Sequence, residues 1–140
     1  MSAENKAAKK MERTDRIDML QFHRKTYLNM ETFRKSGVGV KTPVWFVQAG
    51  ELLYVMTGAR SGKVKRIRNN GRVNVTPCKM DGTPSGTWVP AQAGQVTDAE
   101  TARKVNRLLD KKYGLLKKLF GMGSDRPGRQ DIVLEIKLTE

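Results

Sequence analysis

Apolar residues recur along this chain with two periods, and the places where one gives way to the other divide it into elements. Over residues 15–23, Ile17 and Leu20, followed by His23 or Arg24, keep a helical spacing that predicts a short N-terminal helix. From Tyr27 the period falls to two. Residues 27–33 read as a strand, 34–37 as a turn and 38–48 as a long second strand. Ala49 and Gly50 turn the chain back into a strand at 51–57, so a hairpin is expected there. Pro43 interrupts the second strand. Lacking an N–H, it predicts an edge, a bulge or a stretch that faces a ligand.

Downstream, 72–78 alternates through Val73, Val75 and Pro77, and 79–82 reads as a turn. Residues 83–96 form a long, partly irregular strand through Trp88. Thr97 and Glu100 are spaced as a capping box, opening a helix whose apolar face is Ala102, Val105, Leu108, Leu109 and Tyr113, up to Gly114. A basic, apolar stretch at 115–123 and a loop at 124–130 precede a cleanly alternating last strand at 132–138. About six strands with helices between them predict a small antiparallel β-barrel with peripheral helices. The polar, Lys- and Ala-rich residues 1–11 predict a frayed tail.

Charge sharpens this picture at one place. The chain of 140 residues carries a formal net charge of +13. Between Thr32 and Met80 the single acid is Glu51, against ten Lys or Arg. Within that span, the strand ending at Thr57 runs through Gly58-Ala59-Arg60-Ser61-Gly62 into a short helix beginning Lys63-Val64-Lys65-Arg66. Cations are unfavourable at a helix start, where the macrodipole already places positive charge. An anion at the helix N-terminus, most simply a phosphate, accounts for them. The bland alternative is a solvated basic helix.

Several chemistries are excluded or left without support. The stretch Gly58 to Val64 is one residue short of a P-loop, and Val64 stands where the magnesium-binding hydroxyl belongs, so a nucleotide triphosphatase is not expected. His23 is the sole histidine and has no ligand cluster beside it in the sequence, which argues against metal binding or triad catalysis. Cys78, the one cysteine, cannot form a disulfide within the chain and reads as a packed residue. No apolar run is long enough to span a bilayer, and residues 1–11 lack a signal-peptide core, so a cytoplasmic location is expected. Residues 115–122 with their lysines are a weak candidate for peripheral membrane contact.

Thr42-Pro43-Val44-Trp45-Phe46-Val47, then Leu53-Tyr54-Val55-x-Thr57, Ser61 to Asn70, Pro77-Cys78 and Lys112-Tyr113-Gly114 occur in an order and at spacings that resemble a known family. It is the flavin/deazaflavin oxidoreductase superfamily, with the split β-barrel of pyridoxamine phosphate oxidase. Within it the chain is most similar to the enzymes that use the deazaflavin coenzyme F-420. The resemblance implies a mainly β, dimeric split barrel over residues 27–140, preceded by a basic tail and short helix at 1–26. It implies that Thr42, Pro43, Val44 and Trp45 run beneath the cofactor ring and that Thr57 lies near the ribityl chain. Arg60, Ser61, Gly62 and Lys63 would hold the phosphate, with Lys65 and Arg66 as further candidates. Trp88 of the second subunit would line the substrate side.

The implied activity is hydride transfer between F-420 and a small unsaturated or aromatic molecule. No catalytic constellation is visible in the sequence, which suits chemistry carried by a cofactor. A completing proton could come from water or from Tyr54. The coenzyme also carries an anionic oligoglutamate tail, for which Lys111, Lys112, Lys117 and Lys118 are a possible track. Composition does not separate F-420 from FMN or a haem-like ligand, so an FMN-dependent enzyme of the same fold is the first alternative. The second is a binding module without turnover, either a cofactor carrier or a nucleic-acid binder. The basic segment contains no interleaved aromatics for base stacking, so no nucleic acid is expected.

Overall fold

The computed structural model describes residues 18–119 and 130–139. The expected tail, the start of the first helix at 15–17, the stretch 120–123 and the loop at 124–129 lie outside them. The strands are β1 (Tyr27–Phe33), β2 (Gly39–Trp45), β3 (Val47–Ala49), β4 (Leu52–Gly58), β5 (Arg72–Cys78), β6 (Val89–Gln95) and β7 (Asp131–Leu138). The helices are α1 (Gly62–Asn69) and α2 (Ala99–Leu119), with a further helical turn at 18–20. All strand pairs are antiparallel, in the order β2-β1-β5-β6-β7-β4-β3. The molecule is mainly β, a curled sheet with peripheral helices.

The long strand expected at 38–48 is two strands, separated by Phe46. They are the two outermost strands of the sheet: β2 pairs with β1, and β3 with β4. The chain therefore leaves one edge and enters the other within a single residue, which draws the sheet into a barrel. Phe46 makes this possible because its backbone bonds to α2 instead of a neighbouring strand. The Phe46 N–H donates to the Tyr113 hydroxyl at 3.1 Å, and the Phe46 carbonyl accepts from Lys112 Nζ at 2.8 Å. The Tyr113 hydroxyl has one proton, and Thr26 O lies 2.7 Å away to receive it. Pro43 thus sits on an edge strand, opposite Asn29, where its missing N–H costs no central ladder bond.

Inward positions alternate as a strand requires. Leu28, Met30, Val55, Leu53, Val73, Val75, Ala91, Leu134 and Ile136 fill the barrel. Its two ends are plugged. Met19 and Phe22 close one, with Phe22 edge-on to Phe46 at 5.9 Å. At α1, Ile67 joins the same core and Val64 is buried; each such side chain contributes roughly 1.5–3 kcal/mol. Helix α2 covers the outer face of β3, β4 and β7, packing Val105, Leu109 and Tyr113 on Val47, Tyr54 and Val133.

Three expectations about α2 and β6 need correction. Asp98, not Thr97, caps α2: its carboxylate accepts the Thr101 N–H at 2.8 Å, and the helix begins at Ala99. Asp at this position reaches the third helical N–H with its own short side chain, so no reciprocal Glu is needed. The helix also runs through Gly114, because Leu116 continues the face packed on the sheet. The strand expected from 83 begins at Val89 instead; before it only Pro84 bridges, to Cys78. The turn at 79–82 is as expected, closed by Gly82 N–H to Lys79 O at 2.9 Å with Gly82 at φ 93°. Among the described residues no helix is long and apolar enough to cross a membrane.

Candidate functional site

The mouth of the barrel at α1 gathers the polar groups that the sequence marks. Thr57 is the last inward residue of β4, and its hydroxyl lies 3.4 Å from that of Ser61. Gly58, Ala59 and Arg60 turn the chain, with Ser61 N–H bonded to Gly58 O at 3.0 Å. Ser61 is the N-cap of α1, extended at φ −67° and ψ 155°, but its side chain makes no cap bond. No acid lies in the first turn, so nothing negative within the helix answers the dipole.

Arg66 supplies more positive charge at the same place. Helical side chains lean toward the N-terminus, so residue 66 lies over the turn that begins at 62. A Cβ built on Gly62 would stand 2.7 Å from an Arg66 terminal nitrogen, so only a glycine leaves the guanidinium this room undisturbed. Arg66 Nε donates to Thr32 Oγ1 at 2.6 Å. Thr32 is wholly buried on β1, at an inward position where its neighbours two and four residues back are Met30 and Leu28. It fixes the guanidinium while leaving the outer nitrogens for a ligand. Thr57, Ser61, Gly62 and Arg66 therefore form one cluster, with Lys63 in the same first turn and Arg60 exposed beside it.

The β2 residues divide between two faces. Thr42 and Val44 pair with Met30 and Leu28, and Val44 packs against the barrel core. Pro43 and Trp45 point outward. Trp45 stacks on Tyr113, ring centroids 4.5 Å apart and planes within 4°, so one of its faces is already covered. Pro43 lies beside Asn29 and the turn at Gly82. Asn29 donates to Gly82 O at 2.8 Å, while its Oδ1 is buried with no partner among the described residues. Trp88, half-buried before β6, has the Lys41 ammonium 5.2 Å from its ring on the outer side of β2.

Other candidates are committed elsewhere. Tyr54 lies in the α2 packing layer and donates to Glu135 at 3.2 Å; burial, then the Glu135 charge, push its hydroxyl pKa up. Lys112 turns onto the Phe46 carbonyl and ring, which removes it from any surface track of lysines. Burial raises the Cys78 thiol, which suits a packed residue better than a nucleophile. Among the described residues no group of His, Cys, Asp and Glu is placed to hold a metal.

Sequence reasoning missed Thr32 and a pocket behind it. A pocket of about 230 Å³ is lined by Phe33, Arg34, Lys35, Lys65, Arg66 and Asn69. The signal for Thr32 was present: a hydroxyl at the inward position of an otherwise apolar strand face calls for a polar partner.

The arrangement fits a phosphate. Helix N–H groups of the first turn lack intrahelical acceptors, the dipole is uncompensated, and a fixed guanidinium stands alongside. No protein-family model matches the chain. No curated protein matches it either. Solved structures do. A pyridoxamine 5'-phosphate oxidase-like protein from Listeria innocua is 14% identical, with a TM-score of 0.64 over 91% of this chain and 94% of its own. An F-420 reductase is 19% identical, with a TM-score of 0.60 over 86% of this chain and 92% of its own. HutZ, the haem storage protein from Vibrio cholerae, is 15% identical, with a TM-score of 0.64 over 89% of both. The chain has the split-barrel fold of the pyridoxamine phosphate oxidase-like proteins.

Proposed function

We propose that this protein is a homodimeric, cytoplasmic oxidoreductase that binds coenzyme F-420 and serves hydride transfer to or from a small unsaturated or aromatic molecule. The observation that carries the reading is the uncompensated N-terminus of α1, with Arg66 held over Gly62 by Thr32. Ser61, Gly62, Lys63 and Arg66 hold the phosphate, Arg60 and Lys65 reinforce it, and Thr57 meets the polyol chain. The strand from Thr42 to Trp45 backs the ring from its outward side, and the partner subunit's Trp88 closes the substrate side. When bound, the deazaflavin supplies the hydride chemistry, which explains why the chain offers no catalytic constellation. The protein contributes position, charge and exclusion of water. Tyr54, held by Glu135 under α2, is not the proton source, which leaves solvent.

An F-420 reductase and a FAD-binding protein from Mesorhizobium loti have the same fold, and this supports a flavin-type cofactor. Titration with F-420 and separately with FMN, followed by ligand fluorescence, tests the reading. Tight binding of F-420 in preference to FMN is expected. Preference for FMN would change the cofactor and keep the fold. Binding of neither would overturn the enzyme reading and leave a storage or carrier role, the role for which HutZ is named.

A further inference from the structure

We infer that Gln21 is a positioning residue for Trp88: its carboxamide grips the backbone of Thr87 and so sets how the neighbouring indole stands toward a bound substrate. The inference rests on the reading that Trp88 closes the substrate side, and it adds the residue that places the ring. Gln21 Nε2 donates to Thr87 O at 3.0 Å, and Gln21 Oε1 accepts the Thr87 N–H at 2.9 Å. One side chain thus satisfies both backbone groups of a residue 66 positions further along. The need for it comes from Pro77. Val75 pairs with Val89, and the same register carried two residues on would set Thr87 opposite Pro77. Pro77 has no N–H to give, and its carbonyl already accepts from Ser85 at 2.8 Å. Gln21 fills the place in the ladder that Pro77 cannot.

Both ends of this link are fixed. Gln21 sits on the N-terminal turn between Met19 and Phe22, which are buried in the barrel core, and Phe22 N–H closes that turn on Met19 O at 3.1 Å. At the other end, Gly86 lets the chain come against the carboxamide. A Cβ there would stand 2.5 Å from Gln21 Oε1 and 2.7 Å from a Pro77 ring carbon. Trp88 is therefore bracketed, with Thr87 held by Gln21 and Val89 held by the ladder to β5. The freedom left to the ring is its own side-chain torsions. The half-buried indole then stands with the Lys41 ammonium 5.2 Å from its centre.

Full-length Gln21→Met, which keeps the length of the side chain and removes both hydrogen bonds, is compared with wild type in two ways. In the free protein the indole N–H resonance of Trp88, identified by its loss in Trp88→Phe, should shift and broaden. That of Trp45, stacked on Tyr113, should stay where it is. The second comparison uses reduced F-420 and whichever of cyclohexenone, menadione and nitrobenzene is turned over fastest. KM for that probe should rise about fivefold with kcat and F-420 affinity little changed, and in the Trp88→Phe background the same substitution should add nothing. An unmoved Trp88 resonance, both indoles moved alike, or a KM effect that persists without Trp88 would overturn the inference. Turnover of none of the probes by wild type counts against the F-420 reading. The indole spectra, taken without cofactor, still decide whether Gln21 sets Trp88.

Discussion

Arg66 is counted in the last turn of α1, yet its charge is delivered to the first. Thr32 holds it there, and that bond separates a binding role from a packing role. Thr32→Val keeps shape and burial but removes the acceptor. A charge-assisted hydrogen bond contributes roughly 1.5–3 kcal/mol, so Tm should fall by several degrees and, because the guanidinium is released, phosphate-ligand affinity should fall about tenfold or more as well. Unchanged affinity with a lowered Tm would reduce the pair to structure. Gly62→Ala tests the same geometry from the other side: the new Cβ displaces the guanidinium, and affinity should drop without loss of fold. Lys63→Ala should likewise weaken binding well beyond Lys104→Ala, an exposed lysine on α2. Equal, negligible effects of those two would remove Lys63 from the anchor.

The contact of α2 with Phe46 is where the elements are fastened together. Tyr113→Phe leaves the Phe46 N–H without an acceptor and should cost about 1–3 kcal/mol in a denaturant titration. Lys112 adds a pH signature. Burial holds its ammonium down at about 8, against the ordinary 10.5 of a solvated lysine. Between those values the unfolded chain binds a proton that the folded chain does not, so stability rises with pH across that window. The neutral amine still donates to Phe46 O. Wild type should therefore gain stability relative to Lys112→Met from pH 8 to 10; a constant difference would mean that Lys112 titrates as a solvated lysine.

This fastening also marks the limit of what the sequence reveals. The strands β1, β5 and β7 are legible because apolar and polar residues alternate along them and a turn or loop rich in Gly, Pro, Asn or Ser adjoins each at one end or more. The break at Phe46 is not, since side-chain alternation runs unbroken from Val44 to Val47 while only the hydrogen-bond partners change. Nor could local spacing decide between Thr97 and Asp98, both good caps. The basic helix was legible through a local conflict, cations against a dipole, whereas its pocket depends on β1 and the β1–β2 turn, some thirty residues away in sequence.

At the scale of the molecule, the proposal takes Trp88 from a second subunit, although within one chain Trp88 also lies beside Lys41 on the outer side of β2, so which subunit supplies it is a matter for experiment. If each site takes its phosphate anchor from one subunit and its Trp88 from the other, lesions in the two residues complement. Lys63→Ala and Trp88→Ala homodimers should each be weak in cofactor-dependent reduction of an accepted substrate. After subunit exchange in equal amounts, half of the dimers are mixed; in each, one site carries both lesions and the other none. About a quarter of wild-type activity should return, by the statistics of random pairing in a two-fold dimer. No recovery, with exchange verified by differential tagging, would place Trp88 and Lys63 in the same subunit's site or show that the protein acts as a monomer. Recovery would require the dimer and assign Trp88 its side of the groove at once.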